Sequence, residues 1–265
     1  MDRARYFEGI EAYRLLAKHE VGQNFLVDSD AAERIVGLLD VQAGEKVIEI
    51  GSGAGSLTYF LAETQGDIEA IDIGEGLVVK VQGELSPRVN VHMGNGAKTD
   101  YAPYDKIIGN LPYYITSLLI ERALLTGNNA KKMVFMVQKE AGERLLADVG
   151  SKDYGPLPIL IRLLCKAQRA FTVRRNCFAP APHVDSVVLT FTMKQEREAL
   201  ANKAYALAQS LFLQRRKTML NNLKNYLHDG DKAKRLLTEL GIAENLRPEQ
   251  VSPDLFLALT KALDN

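Results

Sequence analysis

Residues 46–61 read KVIEIGSGAGSLTYFL, a short apolar run that leads into three spaced glycines and then into a helical pattern. The segment Lys46–Ile50 is rich in β-branched residues and predicts a strand. Gly51, Gly53 and Gly55 allow the backbone to turn sharply and to approach a ligand where a side chain would clash. The stretch therefore predicts a strand, a ligand-binding turn and a helix, which is the opening unit of a parallel sheet covered by helices.

The same alternation continues through the first two-thirds of the chain and predicts a doubly wound α/β fold. We expect a helix to begin near Ser29 with Glu33 as its capping-box partner. Strands are expected at Ile68–Ile73, Val89–Met93, Lys106–Ile108 and Met133–Gln138, and helices at about 77–85, 116–125 and 139–147. Two later β-like runs, Gln168–Val173 and Ser186–Met193, suit an antiparallel edge. After Lys194 the spacing is helical, which predicts a first domain over 1–194 and a small helical domain over 195–265.

The composition indicates a soluble globular protein, with 46% hydrophobic and 25% charged residues in 265. Cys165 and Cys177 stand alone and no histidines cluster, so neither a disulfide framework nor a metal site is expected. The first twenty residues lack an apolar signal-peptide core, and the most apolar later stretch is broken by Arg162. We therefore expect a cytoplasmic protein with no membrane partner. A monomeric state is a separate expectation.

Charge is unevenly distributed although the net charge is zero. Residues 1–161 hold 16 basic and 23 acidic side chains, whereas residues 162–265 hold 17 and 10. Two windows, 162–181 and 210–228, contain basic residues and no acid. Such windows are typical either of nucleic-acid contact or of ordinary solvated faces.

An acidic residue follows the glycine turn at the distance that a nucleoside ligand requires. Asp72 ends the second expected strand, 21 residues beyond Gly51, where a carboxylate can accept hydrogen bonds from ribose hydroxyls. The spacing Gly51-x-Gly53-x-Gly55 differs from the G-x-G-x-x-G of dinucleotide sites. With Glu49 it resembles the first motif of class I methyltransferases. In such enzymes the adenine of the cofactor binds at the position that Asn95 occupies here. A glycine-rich turn without a ligand remains the alternative.

The segment Asn110-Leu111-Pro112-Tyr113 follows the fourth expected strand, at the sheet edge where doubly wound folds bind ligands. An exocyclic adenine amine is a weak nucleophile because its lone pair is delocalised into the ring. The amide oxygen of Asn110 and the carbonyl of Leu111 can accept its hydrogens and direct the lone pair at a methyl donor. Pro112 stiffens the turn and Tyr113 offers a stacking face. The segment alone could also be a strand-end turn in which the asparagine caps and the tyrosine packs.

Several segments in order resemble the ribosomal RNA adenine N6,N6-dimethyltransferase family of the KsgA/RsmA type. They cover nearly the whole chain: Gly22–Leu26, Glu49–Gly53, Asn110–Tyr113, Gln138–Glu140, Ser151–Gly155, Phe178–Ser186 and Gln214–Thr218.

The resemblance implies S-adenosylmethionine as cofactor and a target base held between Tyr113 and Phe178. It implies cofactor contacts by Gln23, Asn24, Leu26, Gly51, Gly53, Asp72, Asn95 and Asn110. The implied activity is dimethylation of two adjacent adenines in small-subunit ribosomal RNA during ribosome biogenesis. In this interpretation residues 1–194 are the catalytic domain and 195–265 the RNA-binding domain, with Arg215, Arg216 and Lys217 on a tail helix neutralising phosphates.

Two positions depart from the family pattern, in which acids are usual where Asn95 and Gly74 stand. We expect the first to weaken cofactor binding and the second to delay or loosen the helix that follows. Three alternatives stay open. They are an Erm-type methyltransferase that modifies large-subunit RNA, a non-catalytic RNA- or DNA-binding relative, and a nicotinamide dehydrogenase, which the glycine spacing disfavours.

Overall fold

The computed structural model describes residues 2–12, 24–85, 87–195 and 199–264. Its strands are β1 (Phe25–Leu26), β2 (Lys46–Ile50), β3 (Asp67–Asp72), β4 (Asn90–Met93), β5 (Lys106–Asn110), β6 (Lys132–Gln138), β7 (Cys165–Val173), β8 (Phe178–Ala179) and β9 (Ser186–Met193). Its helices are α1 (Arg3–Ala12), α2 (Ser29–Leu39), α3 (Ser56–Leu61), α4 (Glu75–Leu85), α5 (Thr116–Thr126), α6 (Lys139–Leu145), α7 (Pro156–Leu164), α8 (Ala201–Phe212), α9 (Met219–Leu227), α10 (Gly230–Glu239) and α11 (Pro253–Asp264).

Seven strands form one sheet in the order β4-β3-β2-β5-β6-β9-β7. Strands β2 to β6 are parallel, and β9 pairs antiparallel with β6, with Val134 opposite Thr190. The central strands are continuous buried runs because helices cover both faces of a parallel sheet. The chain order reverses between β2 and β5, and such a reversal opens a crevice at the carboxyl ends of the strands. The predicted doubly wound fold is confirmed.

The first turn of α2 is capped differently from the prediction. The carboxylate of Asp28 accepts from the backbone N–H of Ala31 at 2.9 Å, so Asp28 is the N-cap. Glu33 instead accepts from the guanidinium of Arg3 at 2.9 Å. The expected start of the helix is confirmed, but the capping role given to Glu33 is wrong, because Asp28 is the N-cap and the Glu33 carboxylate is engaged by Arg3.

Helix α4 begins at Glu75, directly after Gly74. The backbone N–H groups of Leu77 and Val78 each donate to the carbonyl of Gly74 at 3.0 Å. The late or loose start expected from the glycine is therefore not observed.

Four elements escape the sequence prediction, namely α1, β1, α7 and β8. Strands β1 and β8 are only two residues long and pair antiparallel, with Leu26 opposite Phe178. Pairing over such a sequence separation depends on the finished fold and leaves no periodic pattern to read.

The chain divides into two compact units. The first comprises residues 1–142 and 168–193, and the second comprises 143–167 and 194–265. The predicted division after residue 194 lies within one residue of a junction between units, but residues 143–167, assigned by sequence to the first domain, belong to the second unit. No helix among the described ranges is long and apolar enough to cross a bilayer.

The second unit is helical after Lys194, as predicted. Tyr154 and Phe256 are buried in it, and the ring of the half-buried Phe212 contacts both, at centroid distances of 6.3 and 6.1 Å. The hydroxyl of Tyr154 also donates to the carbonyl of Val251 at 3.1 Å. The segment after α6 is thus held against the final helices of its own unit.

Candidate active site

A cavity of about 380 Å³ lies at the carboxyl ends of β2, β3, β4 and β5 in the first unit. Its lining contains ten of the residues predicted from sequence, and these are Asn24, Leu26, Gly51, Gly53, Asp72, Asn95, Asn110, Leu111, Pro112 and Tyr113. Segments separated by up to 89 positions therefore meet in one site. Gln23, also predicted to contact the cofactor, lies outside the described residues.

The glycine turn forms one wall of the cavity. Gly51, Gly53 and Gly55 have φ values of +74°, +53° and +94°, a region that favours glycine. One carboxylate oxygen of Asp72 accepts from the N–H of Gly53 at 2.9 Å, and the other accepts from Gly74 at 2.7 Å. Asp72 thus orients the glycine turn as well as facing the cavity.

Helix α1 and a lysine support this turn from outside the cavity. The hydroxyl of Tyr6 donates to the carbonyl of Gly55 at 3.3 Å, and the ammonium of Lys80 donates to the carbonyl of Ala54 at 3.3 Å. A Cβ on Gly55 would lie 2.2 Å from the Tyr6 hydroxyl, so only glycine fits here. Sequence reasoning missed both supports because no local pattern links them to the turn.

Glu49 and Ser52 are the most buried polar groups of the lining, at 1% and 4% exposure. Burial raises the pKa of Glu49 to about 8, and the charge of Asp72 adds to this, against a hydrogen bond from Thr58 at 2.6 Å. The hydroxyl of Ser52 has no hydrogen-bond partner among the described residues. A buried hydroxyl without a partner is costly, so Ser52 is a ready contact for a polar ligand group. Sequence reasoning did not select Ser52.

Asn95 follows β4 and is exposed at the cavity. Its side-chain oxygen accepts from the N–H of Ala97 at 2.9 Å. Because only the oxygen of an amide can accept, the remaining face of this group offers an N–H donor. An aspartate held in the same way would offer a second acceptor oxygen in place of this donor.

The segment Asn110–Tyr113 begins at the last residue of β5 and lines the cavity. The amide nitrogen of Asn110 donates to the carbonyl of Asn24 at 3.4 Å, which leaves the amide oxygen of Asn110 as an acceptor. The N–H of Leu111 donates to the carbonyl of Met136 at 3.0 Å and fixes the backbone that follows. The hydroxyl of Thr116 donates to the carbonyl of Pro112 at 2.9 Å.

Tyr113 is half-buried, and its hydroxyl lies 3.4 Å from the hydroxyl of the fully buried Ser186. Burial raises the pKa of the Tyr113 phenol, so the ring is neutral near pH 7. The ring is therefore uncharged and anchored at its far end.

Phe178 is placed beside the cavity rather than in its lining. Its backbone pairs with Leu26, but its ring is only 4% exposed and belongs to the apolar core of the first unit. The hydroxyl of Ser56 donates to the carbonyl of Leu26 at 2.6 Å and ties β1 to α3. The role of Phe178 as a second stacking face stays a prediction.

The turn between α8 and α9 contains Arg215, Arg216 and Lys217. The prediction that they lie on a helix is therefore wrong. We call residues 213–218 the basic turn. The buried Asn222 closes it by donating to the carbonyls of Gln214 and Lys217 at 3.3 and 3.2 Å.

Within the basic turn the three cations differ. The guanidinium of Arg215 donates to the carbonyls of Ser151 and Lys152 and lies 3.5 Å from the carboxylate of Glu249. Arg216 and Lys217 are exposed. Arg215 therefore holds its own unit together, while the other two present charge to solvent.

Among the described residues no cluster of three or more histidine, cysteine, aspartate or glutamate side chains could hold a metal ion.

Comparison with known proteins gives the family. A family model described as ribosomal RNA adenine dimethylase matches residues 14–265. The ribosomal RNA small subunit methyltransferase A of Myxococcus xanthus is 36% identical and aligns over 96% of this chain and 93% of its own length.

Solved structures share the fold. A dimethyladenosine transferase from Plasmodium falciparum matches with a TM-score of 0.75 and 25% identity, over 89% of this chain and 96% of its own. The 23S rRNA methyltransferase ErmE matches with a TM-score of 0.68, over 91% of this chain and all of its own, but at 22% identity it shows the fold alone. On the evidence of the family model and its relatives, this chain belongs to the ribosomal RNA adenine dimethylase family.

Proposed function

We propose that this protein uses S-adenosylmethionine to dimethylate the amino nitrogen of two adjacent adenines in small-subunit ribosomal RNA. The observation that carries the proposal is the Asn110 amide, which is held by the carbonyl of Asn24 with its oxygen left to accept from the target amine. Family membership and the small-subunit name of the Myxococcus xanthus relative support the choice of substrate.

The cavity residues fit the cofactor. Asp72 can accept from ribose hydroxyls. The hydroxyl of Ser52, which has no partner within the part of the chain that the structure describes, can bond a polar group of the amino-acid end. Asn24, Leu26, Gly51, Gly53 and Asn95 complete the contacts, and the positive-φ glycines permit close approach of the backbone. S-adenosylmethionine supplies an electrophilic methyl group.

Residues Asn110 and Leu111 prepare the nucleophile. The Asn110 oxygen and the Leu111 carbonyl accept the two amino hydrogens. This favours a nitrogen whose lone pair is directed at the methyl donor instead of being delocalised into the ring. No general base is needed, because the alkylated amine is acidic enough to lose its proton to water. The chemistry therefore depends on orientation, which the bonds to Asn24 and Met136 provide.

The target adenine must leave its stack to reach the cavity, as bases do in enzymes that act on them. Tyr113 offers a ring anchored at Ser186, on which the base can stack. We propose Phe178 as the second face, reached by a rearrangement of the segment around β8.

The second unit contributes phosphate contacts. Arg216 and Lys217 are exposed cations without acidic neighbours in the window 210–228, and we assign them to the RNA backbone. Arg215 is a positioning residue, because its donors are already engaged within the unit. We place the protein in the cytoplasm, acting as a monomer on the small ribosomal subunit.

The test is transfer of labelled methyl groups to purified ribosomal subunits from a strain that lacks the modification. We expect label on the small subunit only, as dimethyladenosine. Label on the large subunit would select an Erm-type activity, and binding without transfer would select a non-catalytic relative.

A further inference from the structure

The mouth of the cavity carries an apolar lip that the chemistry of methyl transfer does not use. We define the lip as Ile73, Tyr114 and Leu118, which line the cavity and yet are 56%, 58% and 49% exposed. Single exposed apolar side chains are ordinary, but three that share one cavity mouth mark a contact surface.

Tyr114 is the aromatic member of the lip, and a hydrogen-bonded turn carries it. The N–H of Ile115 donates to the carbonyl of Pro112 at 3.3 Å, closing a turn with Tyr113 and Tyr114 at its centre. Thr116 bonds the same carbonyl. Neighbouring residues of this turn thus present two rings with different surroundings.

The two rings face different partners. The Tyr113 hydroxyl reaches the buried Ser186, whereas more than half of the Tyr114 surface is open to solvent. Leu118, in the first turn of α5, lines the same cavity and is also exposed. A planar apolar group arriving with the substrate would cover this surface without reaching the reacting atoms.

Resting on the proposed function, we propose that Tyr114 stacks the base of the nucleotide that flanks the target adenine. A flipped base stays tied to its neighbour by one phosphodiester, so the neighbour is delivered to the cavity mouth when the target enters. The target lies in a pair of adjacent adenines, and a purine has the larger stacking face. Base–aromatic stacking tolerates any base, so the lip contributes affinity rather than sequence selection.

The proposal is tested with an end-labelled RNA hairpin that carries two adjacent adenines in its loop. Binding is measured by anisotropy with S-adenosylhomocysteine present, using the intact RNA and RNAs that are abasic on either side of the target. We expect Y114A and Y114L to raise Kd for intact RNA about tenfold, and Y114F to restore most of the affinity.

The coupling between ring and base decides the outcome. The abasic change should weaken wild type about as much as Y114A does, and should have little further effect in Y114A. If wild type and Y114A bound the intact RNA with the same Kd, the proposal would be overturned. A parallel shift in affinity for S-adenosylhomocysteine would also overturn it, by showing that Tyr114 contacts the cofactor.

Methyl transfer to the same RNA is recorded separately. Failure of wild type to transfer methyl groups contradicts the proposed function, whereas loss of coupling with transfer intact contradicts only the role of Tyr114.

Discussion

The cavity of the first unit and the basic turn of the second hold their polar groups in opposite ways. In the cavity, Asp72 is 8% exposed and both its oxygens accept backbone N–H groups. In the basic turn, the side chains of Arg216 and Lys217 are exposed, whereas the guanidinium of Arg215 donates to the carbonyl of Ser151 and lies 3.5 Å from the carboxylate of Glu249. Buried, oriented polar groups interact strongly with a ligand because little water competes for their hydrogen bonds. Exposed charges interact more weakly with a ligand, and salt screens them. Substitutions in the two regions should therefore differ in size and in salt dependence.

The largest effect is expected at Asn110. In N110A the target amine loses an acceptor that is fixed in place by Asn24, so kcat should fall at least about a hundredfold. Single-turnover methyl transfer measures this, with N110D as the matched variant that keeps an acceptor. A fall in RNA affinity with kcat unchanged would contradict the assignment.

Glu49 should make stability depend on pH. Its pKa is about 8 in the folded protein, against 4.5 as the ordinary value, so between these pH values the unfolded chain loses a proton that the native protein keeps. The free energy of unfolding contributed by this group therefore falls as pH rises from 4.5 to 8. The glutamine of E49Q can still accept from Thr58 but does not titrate, so this variant should not show that fall in the free energy of unfolding.

The expected result is that E49Q and wild type have nearly equal stability near pH 4. By pH 8 the variant should be more stable by the order of a few kcal/mol, since each unit of pKa shift is worth about 1.4 kcal/mol and a buried group relaxes part of this. Denaturant unfolding across pH 4 to 9 measures the difference. A constant difference across the range would rule the shift out.

The basic turn offers a matched pair of substitutions. R216Q with K217Q should raise Kd for ribosomal RNA about tenfold and reduce the slope of log K against log salt by about 2, leaving the melting curve unchanged. R215A should instead lower the free energy of unfolding by about 1 kcal/mol, because the carbonyls of Ser151 and Lys152 lose their donor. If R215A and the double variant R216Q with K217Q changed RNA affinity and stability in the same way, Arg215 would not differ in role from Arg216 and Lys217.

Asn95 should give the smallest effect. In N95D one oxygen can keep the bond to Ala97 while the other becomes an acceptor for the cofactor's adenine amine. We expect affinity for S-adenosylhomocysteine to rise about fivefold in calorimetric titration. The inosine analogue, which carries an oxygen in place of that amine, should not gain. An equal gain for both ligands would indicate a general charge effect.

The cavity was accessible to sequence reasoning because its parts follow local rules. The glycines after β2, the acid at the end of β3 and the segment after β5 all lie at strand ends, and a parallel sheet brings such ends to one edge. The supports from Tyr6 and Lys80 depend on non-local packing and have no such pattern.

The basic turn shows where sequence reasoning fails. A run of basic residues predicts excess positive charge, but not which of its side chains is engaged by a partner elsewhere in the chain. Here Arg215 is engaged by Glu249 and by two backbone carbonyls. The burial of Phe178 also depends on the folded chain, since its side chain belongs to the apolar core of the first unit. Burial and pairing partners are properties of the folded chain.

We propose that the Asn110–Tyr113 segment orients small-subunit adenines for methyl transfer. It is tested most directly by incubating wild type and N110A with labelled S-adenosylmethionine and separated ribosomal subunits that lack the modification. We expect two methyl groups on each of two adjacent adenines of the small-subunit RNA with wild type and almost none with N110A. Label on the large subunit, or equal label with both proteins, would contradict it.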